Sequence, residues 1–64
     1  MQKPKVAGEH QLMGDKRTFI VYDLDDEDAP EATIGGIVAE ETYLFFAPDT
    51  VAEARNRGYR PYKP

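Results

Sequence analysis

The sequence predicts a small α+β domain: an antiparallel sheet of three or four strands with one short C-terminal helix. Three observations carry this reading. Two runs, residues 17–24 (RTFIVYDL) and 43–46 (YLFF), are rich in β-branched and aromatic residues. A helix start and a helix stop bracket residues 50–58. The chain has 64 residues, room for one hydrophobic core and one domain over residues 1–64.

The elements follow in order. Residues 1–4 form a loose end. Residues 6–13 are a first strand of weak alternation, and Gly14-Asp15 offers a turn. Residues 17–24 are the clearest strand. Residues 23–31, DLDDEDAPE, form a loop, because six of the nine are acidic and Pro30 cannot occupy a central ladder position. Residues 33–39 are a further β-rich run, in which Gly35-Gly36 marks a bulge or a close backbone approach. Residues 43–46 are the last strand before Pro48. Thr50 with Glu53 three residues on makes a capping box, so the helix runs over about 51–57 and Gly58 takes the left-handed stop. A two-turn helix is unstable alone and must dock on the sheet. The tail, residues 59–64, is extended or disordered.

Both strands with strong signals are apolar on both faces. In residues 17–24, Phe19 and Val21 alternate with Ile20, Tyr22 and Leu24, and Tyr43 and Phe45 alternate with Leu44 and Phe46. One short helix covers part of one face only. The second face is therefore expected to meet another chain, in a homodimer or an obligate complex. The alternative is that the N-terminal segment and the tail fold over it.

Composition excludes much chemistry. There is no Cys, so neither disulfides nor thiolate metal sites are available, and the lone His10 rules out a His-rich site. The absence of cysteine fits a cytoplasmic location. No apolar run approaches the roughly 20 residues that span a membrane, so no membrane role is expected. No Ser is present, Thr50 is taken as a cap, and no nucleophile neighbours His10. Gly35-Gly36 lacks any phosphate-loop pattern. The expectation is a non-enzyme without cofactor or metal.

Charge is segregated. Residues 1–17 carry a net +2, residues 18–54 carry ten acids and no base, and residues 55–64 carry +4, for a total of −4. Such a pattern bears on partners and steering. The acidic residues Asp23, Asp25, Asp26, Glu27, Asp28 and Glu31 are the candidate partner-binding site, an array of carboxylates suited to a basic protein surface. They do not make a calcium loop: counting from Asp23, the sixth position is Asp28 instead of Gly and the twelfth is Ile34 instead of Glu. A solvated loop that aids solubility is the plain alternative.

The second candidate is the tail, where Arg55, Arg57, Tyr59, Arg60, Tyr62 and Lys63 interleave bases with rings, the residue types that neutralise phosphates and stack on nucleobases. Against this stand a dipole role for Arg55 and Arg57 and packing of Tyr59 under the helix. The same stretch carries a likeness. Phe45-Phe46, Glu53-Ala54 and Gly58-Tyr59-Arg60-Pro61, within residues 43–64, resemble the C-terminal part of the Ada-type zinc-binding module of DNA-repair proteins. That module closes with an aromatic strand, a short helix containing Glu-Ala, and Gly-Tyr-Arg-Pro-Cys-Lys before a further Cys. Tyr62 stands where the first of those cysteines belongs, and the other metal ligands are missing too. The resemblance implies a strand–helix–extended unit or an association with DNA; zinc and methyl transfer do not carry over.

The leading expectation is a small acidic module that binds and modulates or inhibits a larger partner, of the kind encoded by viruses (phages among them) and mobile elements. A nucleic-acid accessory protein using the tail is the second reading. A structural or assembly subunit, held through the second apolar face, is the third.

Overall fold

The computed structural model describes residues 3–63. After a 3-10 turn at Lys5–Ala7, the elements are β1 (Leu12–Asp15), β2 (Ile20–Asp23), α1 (Glu31–Ala39), β3 (Tyr43–Leu44), α2 (Val51–Asn56) and β4 (Arg60–Pro61). The four strands form one sheet in the order β3-β1-β2-β4. The class is α+β, as the sequence predicts, with a second helix that was not expected.

Side-chain alternation divides the sheet cleanly. Met13, Ile20, Tyr22 and Tyr43 face one side, where they meet Leu24, Ala7 and the α1 residues Ile34 and Ile37. Leu12, Val21 and Leu44 face the other, where they meet Phe46, Tyr59 and Ala54 of α2. The register agrees, because Met13 pairs with Tyr22, Gly14 with Val21 and Leu44, and Asp15 with Ile20 and Tyr43. The doubly apolar strands are thus the centre of a helix–sheet–helix sandwich. Phe46, Met13, Leu24 and Ile34 are its largest fully buried side chains, each contributing about 1.5–3 kcal/mol by transfer from water.

This arrangement corrects the expectation for residues 33–39, which form α1 and not a strand. Ile34 and Ile37 lie three residues apart, so a helix puts both on one face, and both are buried. Gly35 and Gly36 fall on the exposed side, with open space where a Cβ would stand. The helix closes without glycine: Glu41 takes φ 57°, and the Thr42 N–H reaches the Ile37 carbonyl at 3.2 Å. Because α1 covers one face and α2 the other, the chain covers its own sheet. The reason for expecting a second chain on that face, as a dimer or as an assembly subunit, therefore falls away.

Other boundaries also shift, among them the strand expected over residues 43–46, which is Tyr43–Leu44. Of residues 6–13 only Leu12 and Met13 are in a strand. Gly14-Asp15 lie within β1, and the chain reverses over residues 16–19. There the buried Asp15 carboxylate accepts from the Arg17 N–H at 3.0 Å and the Thr18 hydroxyl at 3.0 Å, and Phe19 takes φ 59°. The strand expected over residues 17–24 is shorter, Ile20–Asp23. The tail joins the sheet as β4, parallel to β2, with Arg60 N–H to Phe19 O at 2.8 Å and Tyr62 N–H to Val21 O at 2.9 Å. The sheet is therefore mixed and not wholly antiparallel.

Gly14 is fixed by packing. A Cβ on it would lie 2.8 Å from Tyr59 Cε2 and 2.9 Å from Phe46 Cζ. Those two rings meet edge to face at 5.2 Å above the strand. α2 forms as expected, with the Glu53 N–H donating to Thr50 Oγ1 at 3.2 Å. The Glu53 carboxylate turns instead to Arg57 Nε at 2.8 Å, so only half of the capping box is made. Gly58 takes φ 86° and ends the helix.

Candidate functional site

The acidic segment is a pair of turns joining β2 to α1. Leu24 anchors it in the core, and its N–H donates to Gln11 O at 2.7 Å. Asp23 Oδ1 accepts from the Asp25 N–H at 2.9 Å, and Asp26 Oδ1 from the Asp28 N–H at 2.9 Å. Each Asp side chain thus holds the turn that follows it, which is what short carboxylates do in turns. Gln11 Nε2 steadies Asp23 from β1's end of the sheet, at 3.2 and 3.3 Å from its two oxygens.

The six candidate acids are not one flat array. Asp23 and Asp26 wall a cleft of about 340 Å³. Asp25, Glu27 and Asp28 are exposed on the loop beside it, with Lys3 at 3.3 Å from Asp25. Glu31 sits in the first turn of α1, where its charge complements the helix dipole.

The structure adds residues that the sequence reading missed. Asp49, 37 residues from Leu12, closes the far wall of the cleft. Its carboxylate accepts from the Gln11 N–H at 2.6 Å and the Leu12 N–H at 3.1 Å, tying the lead into α2 to the start of β1. Nothing in local sequence links positions 11 and 49; Pro48-Asp49-Thr50 reads only as a helix approach. Tyr62 comes from the tail, its ring 5.2 Å from that of Tyr22, and both line the cleft. Among the described residues no Lys or Arg forms an ion pair with Asp23, Asp26 or Asp49. The cleft therefore combines three carboxylates that have no counter-ion among the described residues with aromatic and proline walls. At about 340 Å³ it is at the small end of ligand sites. Among the described residues no three His, Asp or Glu side chains converge as a metal site.

The tail residues divide. Tyr59 belongs to the core, under Phe46 and Gly14, and is not free to stack on a base. Burial raises its pKa above the ordinary 10, and the Asp15 charge adds to this while Arg57 opposes it. Arg57 is paired with Glu53. Arg55, Arg60 and Lys63 are exposed, and Tyr62 is half-buried. His10 is a packing residue: its ring stacks on Phe45 at 4.8 Å, and Nδ1 donates to Ala7 O at 3.0 Å.

No family model matches the chain, and no curated protein or solved structure matches it. No helix among the described residues is long and apolar enough to cross a membrane.

Proposed function

We propose that this protein is a non-enzymatic interaction module whose acidic loop and adjoining cleft engage a basic surface of a larger partner protein and modulate or inhibit it. The observation that carries the reading is the cleft between the loop and the start of α2. Asp23, Asp26 and Asp49 line it, and among the described residues no basic side chain is paired with them. A Lys or Arg side chain suits such a place: its head meets the carboxylates and its apolar stem lies along Tyr22, Tyr62 and Pro30. Asp25, Glu27 and Asp28 on the rim extend the negative field, which speeds encounter and selects against acidic partners. The turns made by Asp23 and Asp26 hold the loop in place, so little ordering cost falls on binding.

The test is affinity capture from nuclease-treated lysate of the source cell, comparing native bait with one carrying Asp25→Asn, Asp26→Asn, Glu27→Gln and Asp28→Asn. The expected result is a single protein held by the native bait at near-unit stoichiometry, reduced strongly by the substitutions and by added salt. Equal capture by both baits would defeat the reading.

A further inference from the structure

A second concavity, of about 710 Å³, lies on the other side of residues 61–62 from the acidic cleft. Its walls come from the end of α2 and from the tail, and it has the opposite charge. Arg55, Arg60 and Lys63 line it, and among the described residues none of the three forms an ion pair. Ile20, Pro61 and Tyr62 supply its apolar surface. Three cations without an ion pair among the described residues, beside a ring and an apolar floor on a chain whose net charge is −4, are a local reversal of sign that solubility does not require.

The tail is held rigidly enough to present them. The Arg60 and Tyr62 N–H groups are bonded to β2, so residues 60–62 are extended and fixed in register. Arg55 approaches from the last turn of α2. We propose that this groove binds single-stranded nucleic acid, with Arg55, Arg60 and Lys63 on the phosphates and the Tyr62 ring against a base. A single strand uses both the three charges and the ring, through phosphate contacts and base stacking, and competition with polyglutamate distinguishes it from an acidic protein surface. A duplex is disfavoured, because its wider polyanionic face would also meet the acidic loop beyond Tyr62. The site differs from the acidic cleft in charge and ligand although Pro61 and Tyr62 line both, and its test is separate from that of the reading above.

The test is fluorescence anisotropy with a labelled oligothymidylate of about 12 nucleotides, titrated with the full chain at two salt concentrations. Three phosphate contacts predict a slope of log affinity against log salt of about −2, so that affinity falls on the order of twentyfold between about 50 and 200 mM salt. Arg55→Gln, Arg60→Gln and Lys63→Gln together should abolish binding while leaving the circular-dichroism spectrum and Tm unchanged, since all three side chains are exposed. A charge-matched control, Lys5→Gln, Lys16→Gln and Arg17→Gln, should still bind. Tyr62→Leu, in protein verified as folded, should weaken binding about fivefold or more. Three results would each overturn the proposal: no binding by native protein, equal loss in the charge-matched control, or displacement by polyglutamate as effective as by unlabelled oligonucleotide.

Discussion

Replacing Gly35 and Gly36 by alanine should make the protein more stable, and this tests the least expected element of the fold. Both residues lie in the interior of α1, both are exposed, and no heavy atom outside the helix's local backbone and the chain neighbours stands within 4 Å of an added Cβ. Nothing therefore opposes the intrinsic gain. Glycine costs a helix interior about 0.8–1.0 kcal/mol relative to alanine, chiefly through the backbone freedom it loses on folding. Two such replacements add up to about 1.6–2 kcal/mol if the sites act independently. For a domain of this size, each kcal/mol moves Tm by roughly 4–8 °C. The double variant should thus melt about 6–16 °C higher and show slightly greater ellipticity at the helical minimum. Thermal melts followed by circular dichroism read both quantities. If residues 33–39 were a strand bulged at the glycines, alanine would gain nothing or would strain the bulge. An unchanged or lowered Tm would refute the helix and, with it, the covering of that face of the sheet.

Three further outcomes follow from the packing. Gly14→Ala should destabilise by about 1–3 kcal/mol, as overpacking does, because its Cβ meets two buried rings below 3.0 Å; a urea midpoint equal to that of the native protein would contradict the packing of Tyr59 and Phe46. Asp49→Ala should cost about 1–3 kcal/mol by leaving the Gln11 and Leu12 N–H groups without their acceptor, and hydrogen exchange at those two amides should accelerate. Stability should also fall as pH rises past 10. Burial, and then the Asp15 charge, raises the pKa of both Tyr22 and Tyr59. Above pH 10 the unfolded chain releases protons that the folded chain retains, so the contribution is full below 10 and is lost as pH climbs through the folded values; urea midpoints that stay level from pH 8 to 11 would show the two phenols to be unburied.

How far the sequence revealed the structure depends on the range of the forces involved. α2 was legible because Thr50, Glu53 and Gly58 act within one helical turn. The acidic loop was legible because four consecutive acids followed by Ala-Pro cannot be buried. α1 was not, since its local signals point the wrong way: two internal glycines, Pro30 at the cap without a side-chain bond, and Glu41 where glycine usually ends a helix. Tertiary burial of Ile34 and Ile37 outweighs those signals. The parallel placement of β4 depends on hydrogen bonds about 40 residues apart in sequence, from Arg60 to Phe19 and from Tyr62 to Val21, which no local pattern encodes. The same applies to the cleft. Asp23 and Asp26 stood out by composition, but Asp49, Gln11 and Tyr62 join them only through the fold. For Tyr59 the sequence offers two settings, a ligand role among the arginines and packing under the helix, and its ring takes the second.

The claim that the acidic cleft is the binding site is tested most directly by heteronuclear NMR of the labelled protein titrated with a short Arg- and Lys-rich peptide. The account predicts amide shift changes concentrated at residues 23–30, at Gln11 and at residues 49–51, weakening with salt and lost when Asp25, Asp26, Glu27 and Asp28 are neutralised. Changes spread evenly over every acidic position, with Glu40, Glu41 and Glu53 moving as much as Asp23 and Asp26, would contradict it.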